Sequence, residues 1–336
     1  MKERFDARLR AIPPGALHGL LRDLSEIEAF RGWWDGARKP ARPALLRIRE
    51  SVISRSAASS TREAGAIPSP ASLGYAGALR AVFDGYAAMP PVEDRILALH
   101  TAVFRHLPGG RVLAGRYKSA TPRQGIERCF LSEPVALRSP GPLLIPSQME
   151  TLTWWLRSGL DGGEFHPLLV VAAYLLEFLA IRPFSDGNGR MSRLLTNLLL
   201  MRCGHAYLPF GSLDAAIAGR REEYYIALRR SQASRNLPRP DISPWLFSFL
   251  GALAIQQREA REALARLPDE GTLSANQSAV MALAARGEEV TNRRVAAEFG
   301  LSRETAKQTL NRLVFLGTLR RLGAGRATRY RLREGA

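Results

Sequence analysis

Residues able to do chemistry are concentrated in one stretch of this 336-residue chain, Ile181-Arg182-Pro183-Phe184-Ser185-Asp186-Gly187-Asn188-Gly189-Arg190-Met191-Ser192-Arg193. Gly187 and Gly189 permit close backbone approach and positive φ where a helix is predicted to start, so unpaired backbone amides converge on one point. Such a point binds anions. Arg190 and Arg193, three residues apart, share a helix face and can reach two neighbouring phosphate groups from the same side. Asp186 puts a carboxylate beside them, and a Mg²⁺ held jointly with phosphate oxygens is its simplest explanation. Phe184 is expected to anchor the loop in the core. On spacing alone, a Gly-Asn-Gly turn followed by two solvated arginines is an equal alternative, because short glycine motifs are common.

The elements that must hold this loop read as a succession of helices broken by Pro and Gly clusters, with few strand signals. Helices are predicted over 16–35, 43–60, from Pro90-Pro91 to Leu107, and after Pro142–Pro146 with Met149, Leu152 and Trp155 on one face. A long apolar helix starts at His166-Pro167 and stops at Pro183, since proline is excluded from helix interiors. Amphipathic helices follow over 189–203, 214–231 and Trp245–Leu267. Ala64–Leu73 reads as a loop, and Arg111-Val112-Leu113 with Arg128-Cys129-Phe130-Leu131 as short strands of a hairpin. The apolar run Leu168–Ile181 is too short to span a bilayer and contains Glu177, so it is expected in a core, with no membrane involvement.

Composition is that of an ordinary globular chain, 46% hydrophobic and 24% charged, which excludes wholesale disorder, collagen and coiled coil. Lys and Arg number 48 against 31 Asp and Glu, and the resulting +17 points to a polyanionic partner. Two widely spaced cysteines, Cys129 and Cys203, suggest neither a disulfide framework nor a structural zinc site, which fits a reducing cytoplasm. Pro268-Asp269-Glu270-Gly271 is the best domain boundary. Beyond it, residues 273–336 hold 12 Lys and Arg against 5 Asp and Glu, a far higher density of positive charge than in the rest of the chain.

The loop resembles the signature of the Fic family, His-x-Phe-x-(Asp or Glu)-Gly-Asn-Gly-Arg-x-x-Arg, matching at Phe184, Asp186, Gly187, Asn188, Gly189, Arg190 and Arg193. His166-Pro167-Leu168 stands where the family starts the helix feeding the loop. Arg221-Glu222-Glu223-Tyr224-Tyr225-Ile226-Ala227-Leu228 looks like the family's Tyr-Tyr helix near the nucleobase. Ser59-Ser60-Thr61-Arg62-Glu63-Ala64 resembles the inhibitory-helix motif, (Ser or Thr)-x-x-x-Glu-Gly, with Ala64 in the glycine's place, and Gly115-Arg116-Tyr117-Lys118 resembles the segment before the target-binding flap. The resemblance implies a mostly α fold, with a helical core and a small β-hairpin flap. It implies ATP and Mg²⁺ as ligands, with Asp186 as metal ligand, and Phe184, Gly187, Asn188, Gly189, Arg190, Arg193, Tyr224 and Tyr225 around the nucleotide. Glu63 would be an inhibitory residue that pairs with Arg193 and competes with the terminal phosphate.

Fic proteins typically move AMP from ATP to a hydroxyl of a target protein, with the loop histidine as base. This chain has Arg182 at that position, and arginine, protonated and without an acceptor nitrogen, cannot take the proton. None of the other histidines is expected to substitute: His166 starts a helix, His205 lies beyond the helix that follows the loop, and His18, His100 and His106 are expected to be structural or surface residues. The expectation is therefore a nucleotide-binding pseudoenzyme; the alternative is an AMP transferase that works despite Arg182.

Residues 273–332 resemble a winged helix-turn-helix. Helices are predicted over Ala275–Arg286 with Ser274 as N-cap, over Arg293–Phe299, and after Ser302, a second N-cap. Arg303, Lys307, Gln308, Asn311 and Arg312 occupy the outward side of that third helix, a side-chain mix suited to base edges and phosphates. Leu319–Leu332 reads as a hairpin turning at Gly323-Ala324-Gly325, its arginines, Arg326 and Arg329 among them, facing a DNA backbone. The expected division is an N-terminal helical region over 1–108, a core over 109–250, a helical linker over 251–272 and the winged helix over 273–336. The expected role is a nucleotide-responsive transcriptional regulator that binds DNA, with a target protein and self-association also compatible.

Overall fold

Glu177 is the one charge in the apolar run Pro167–Ile181, and the computed structural model accommodates it in the core by pairing it with two arginines, Arg8 and Arg235, the latter at 2.9 Å. The structure describes residues 2–37, 42–61, 68–107, 114–120, 139–237, 239–265, 273–286, 289–323 and 325–332. Its helices are α1 (Lys2–Arg10), α2 (Pro14–Gly36), α3 (Arg42–Thr61), α4 (Pro70–Gly85), α5 (Glu93–Phe104), α6 (Ile145–Gly162) and α7 (Pro167–Ile181). Then come α8 (Asn188–Arg202), α9 (Leu213–Gly219), α10 (Arg221–Ala233), α11 (Ser243–Ala265), α12 (Ala275–Ala285), α13 (Asn292–Glu298) and α14 (Arg303–Phe315). The strands β1 (Leu319–Leu322) and β2 (Arg329–Leu332) form an antiparallel hairpin. The fold is mostly α, as expected.

Two compact units are present, Met1–Gly36 with Ser51–Ala260, and Ala37–Glu50 with Arg261–Ala336. The first has α7 at its centre. Leu168, Val170, Val171, Ala172, Tyr174 and Phe178 on that helix are all fully buried, as an all-round apolar helix must be. Around it, α6 and α8 pack closely, Trp245 donates its indole N–H to the Ala172 carbonyl at 2.7 Å, and Trp155 donates to Asp6 at 2.8 Å. The chain before residue 108 does not form a compact unit of its own, and the first turns of α3 belong with the C-terminal unit. No described helix is long and apolar enough to cross a membrane.

Local chemistry departs from the sequence expectation in three places. A loop is expected over Ala64–Leu73, but α4 starts at Pro70. Ser69 caps it by accepting from the Ser72 amide, and proline at the first helical position loses no hydrogen bond. The single helix expected over 214–231 is broken into α9 and α10 at Gly219-Arg220, where Arg220 leaves the helical region (φ −125°, ψ 35°). Glycine, about 1 kcal/mol poorer than alanine in a helix, makes this the weak point. Helix α1 has no counterpart among the expected elements. The hairpin over Arg111–Leu113 and Arg128–Leu131 and the Pro268–Gly271 boundary lie outside the described residues.

In the second unit, Val280, Leu283, Val290, Val295, Ala306, Leu310, Leu313, Leu319 and Tyr330 form a separate core. Ser274 and Gln277 make a reciprocal capping box at α12, and Ser302 caps α14 through the Thr305 amide. Gly323 turns the hairpin at φ 73°. Three helices and a two-stranded wing follow the order the sequence predicts.

The end of α8 opposite its signature start has its own consequence for stability. His205, 1% exposed, shares a hydrogen bond with the Tyr207 hydroxyl at 3.2 Å, and its Nε2 lies 3.6 Å from Glu28. Burial first, then Arg31 and His166, push its pKa down to about 4. A histidine that folds neutral and unfolds with a pKa near 6.5 gives the unfolded state the larger proton uptake. Its stabilisation is therefore complete above the unfolded value and is lost as pH falls from about 6.5 towards 4, up to roughly 3 kcal/mol in all. Denaturant titrations between pH 7 and pH 4.5 should show a shallower stability loss for His205→Gln than for the unmodified protein; parallel curves would contradict this assignment.

Candidate functional site

Proline at 183 cannot continue α7, and the turn that follows is built on two left-handed residues. Arg182 caps α7 at φ 50°, ψ 63°, its amide donating to the Phe178 carbonyl at 2.9 Å, and is the sole non-glycine with positive φ among the described residues. Gly187, at φ 80°, caps the start of α8. A Cβ there would lie 2.7 Å from the Phe104 ring, so both the dihedral and the space require glycine. Gly189, also expected to exploit positive φ, instead lies in the first turn of α8 with ordinary helical geometry. That turn has no side-chain cap, and the amides of residues 188–190 point beyond the helix start.

Asn188 shapes the loop from inside. Its side chain accepts from the Phe184 amide at 3.0 Å and donates to the Phe184 carbonyl at 2.8 Å, so both polar ends are spent on the loop backbone. Phe184, 1% exposed, is the expected core anchor. Asp186 accepts from its neighbour's amide, Gly187, at 2.6 Å and from Arg190 Nη2 at 3.0 Å, and its side chain is 62% exposed. An accessible carboxylate of this kind fits a Mg²⁺ shared with phosphate oxygens. Among the described residues no cluster of three or more His, Cys, Asp or Glu could hold a metal unaided.

The two loop arginines differ in setting. Arg190 lies over the Phe104 ring, 4.8 Å from its centroid. Arg193 is largely buried, donating from Nε to Asp214 at 2.5 Å and from Nη2 to Ser60 at 2.6 Å. Burial alone would lower the Arg193 pKa, but Asp214 outweighs it and the pKa is raised. Burial raises the Asp214 pKa, offset in part by Arg193. Because arginine keeps its proton, the pair is ionic.

Three residues outside the signature position the loop, and of them only Lys118 lay in a segment the sequence singled out. His100, expected to be structural or surface, is fully buried and stacks between Phe184 (3.8 Å) and Phe104 (4.6 Å). Its Nδ1 accepts from the Gly115 amide at 3.0 Å, which leaves the proton on Nε2 to be donated to the Asp186 carbonyl at 3.1 Å. Burial chiefly lowers its pKa and favours this neutral form. Lys118 completes the docking of the Gly115–Lys118 segment: its amide donates to the Pro183 carbonyl at 2.9 Å and its ammonium to Ser139 at 2.7 Å. Burial, then Arg182, lowers the Lys118 pKa. Asp214 is the third. None of these contacts is visible in the sequence, because each joins residues far apart in the chain.

Tyr224 is buried, edge-on to Trp245 at 5.2 Å, and Tyr225 is half-buried beside it. Glu63 lies outside the described residues, although Ser60, in the same motif, reaches Arg193. In the second unit, Arg303, Lys307, Gln308 and Asn311 are exposed on α14, and Arg312 is half-buried with its guanidinium 5.0 Å from the Phe315 ring centroid. Arg47 packs on the same ring at 4.1 Å. On the wing, Arg320 stands directly opposite Arg331, a like-charged pair of which Arg331 lies 3.7 Å from Glu289. Arg329 is held by Glu289, and the Arg326 side chain lies outside the described residues.

Comparison with known proteins supports both parts. Residues 90–200 match the Fic/DOC family, and residues 270–333 match the C-terminal domain of DIP2311-like transcriptional regulators. The protein adenylyltransferase Fic of Nematostella vectensis is 36% identical over 111 residues, 33% of this chain and 23% of that protein. The Aedes aegypti protein of the same name is 46% identical over 66 residues, 20% of this chain and 13% of the relative. The chain thus spans less than a quarter of the length of these curated relatives. Among solved structures, a Fic family protein from Desulfovibrio desulfuricans G20 covers 97% of this chain and 98% of its own, with a TM-score of 0.54 at 24% identity. Fic-1 from C. elegans covers 75% and 74%, with a TM-score of 0.55 at 18% identity. Residues 90–200 are thus similar to the Fic/DOC family, and residues 270–333 to the C-terminal domain of a transcriptional regulator.

Proposed function

We propose that the protein binds ATP with Mg²⁺ at the Asp186–Arg193 loop, lacks the base needed for efficient transfer, and reads DNA through α14 and the wing in response to the nucleotide. The observation that carries this reading is Arg182 at the position of the base, beside a loop whose glycine turn, carboxylate and two arginines are intact. Asp186 would hold the metal, whose contribution is charge neutralisation on the phosphates. The amides of residues 188–190, with Arg190 and Arg193, would receive the phosphate chain, and Tyr224 and Tyr225 would line the base. Glu63, three residues beyond Ser60, would compete for Arg193 from the inhibitory segment.

A second reading, a protein AMP transferase acting on a target hydroxyl, is favoured by the relatives named as protein adenylyltransferases over the matched region. Calorimetric titration of ATP with Mg²⁺ into the full chain tests the first reading. Binding should be saturable and weakened about tenfold or more by Arg190→Ala, since a charge-assisted contact is worth about 1.5–3 kcal/mol. No heat of binding at millimolar ATP would overturn it.

A further inference from the structure

The two arginines of the loop carry different counter-ions. Arg190, itself only 13% exposed, is paired with a carboxylate that is 62% exposed, and a carboxylate so hydrated is held weakly and can give way to another anion. Arg193 is paired with one that is 1% exposed, where losing either partner strands a buried charge. The Asp214 carboxylate is itself held, both oxygens accepting from the Tyr75 hydroxyl at 3.0 Å, and Tyr75 is fully buried. Asp214 sits in the first turn of α9, whose N-cap Ser212 is tied to Ser56 of α3 at 2.7 Å.

Nε and Nη2 of Arg193 are therefore spent on Asp214 and Ser60, and Nη1 makes neither bond. It lies 3.4 Å from where a Cβ on Gly189 would stand, against the first turn of α8 and its outward amides. Glycine at 189 leaves that approach open. We propose that Asp214, backed by Tyr75 and joined by Ser60, is a positioning residue that fixes Arg193 with Nη1 turned to the start of α8, as a preformed phosphate ligand.

The inference rests on the nucleotide reading above. It assigns the two arginines different tasks: Arg190 exchanges its carboxylate for the incoming anion, whereas Arg193 stays put and meets the anion without reorganising. A group held by its own supporting contacts loses little freedom on binding, which is what preorganisation contributes.

The test is a double-mutant cycle on ATP–Mg²⁺ affinity in the full chain, read together with the Arg193 Nε–Hε signal in ¹⁵N-arginine NMR. Asp214→Asn should lower affinity about 10- to 100-fold, as loss of a supporting contact does for bound ions. In an Arg193→Gln background the same change should cost less than about twofold, because it acts only through Arg193. The Arg193 signal should be ordered in the unmodified protein and broadened or lost in Asp214→Asn. Should Asp214→Asn fail to fold, Tyr75→Phe and Ser60→Ala each remove one support while leaving the ion pair, with expected losses of about 2- to 10-fold. Equal affinity in the unmodified and supporting-residue variants, or equal losses in both backgrounds, overturns the positioning role alone. An ordered Arg193 signal in a protein that binds no ATP overturns the nucleotide reading instead, and the proposal with it.

Discussion

Arg182→His is expected to raise transfer of AMP from ATP onto protein by about 10²- to 10⁴-fold, the usual contribution of a positioned general base. The guanidinium at this position has five donors and no acceptor, so it can stabilise charge but cannot take a proton from a hydroxyl. Histidine suits the backbone as well as the chemistry. Position 182 adopts φ 50°, ψ 63°, and histidine is among the residues enriched in this left-handed region. The substitution should therefore leave the cap of α7 intact. The measurement is covalent label from ATP carrying a radioactive α-phosphate, with Mg²⁺, comparing the unmodified chain with the Arg182→His variant, each also with Glu63→Gly to remove any inhibitory contact. Label confined to Arg182→His would mean a disarmed enzyme retained for binding. Equal label with Arg182 in place would establish a working transferase and send the search for its base elsewhere, first to Lys118, whose pKa burial and Arg182 already lower.

Affinity of the full chain for duplex DNA should fall by about 10³-fold between 50 and 200 mM salt if six basic side chains neutralise phosphates, because each contact releases about 0.9 counterion. Arg303 and Lys307 on α14 and Arg320, Arg321, Arg329 and Arg331 on the wing are the six, all exposed. The Arg320–Arg331 cross-strand pair sharpens the expectation, since it sets two positive side chains opposite each other on the wing. Glu289 opposes binding by holding Arg329 and, at 3.7 Å, Arg331, and Glu289→Gln should strengthen binding modestly. Lys307→Ala should reduce the slope of log affinity against log salt by about one unit. Fluorescence anisotropy across a salt series gives both quantities, and an affinity independent of salt would exclude phosphate contacts altogether.

Much of this was legible in the sequence because it depends on short-range rules. Proline placed the end of α7, a glycine with a following helix placed the turn before α8, and serine caps placed α12 and α14. The Gly323-Ala324-Gly325 turn placed the wing. Where local rules competed, the sequence misled. Pro68 and Pro70 read as a loop, yet proline is a good first residue for α4, and a helix run across Gly219 looked continuous until its weakest residue let it break.

What only the tertiary structure decided is who stands behind the loop. His100, Asp214, Tyr75 and Lys118 lie in other helices or segments, and nothing in their local sequence distinguishes a buried histidine that donates to the Asp186 carbonyl from one in solvent. The same holds for the arginines. Spacing of three puts Arg190 and Arg193 on one face, but only packing shows that one carboxylate is open to water and the other sealed. Residue type and spacing determine which groups can meet an anion, because both follow from helix geometry. Burial determines which of them is movable and which is fixed, because that depends on the dielectric and on partners supplied by distant parts of the chain.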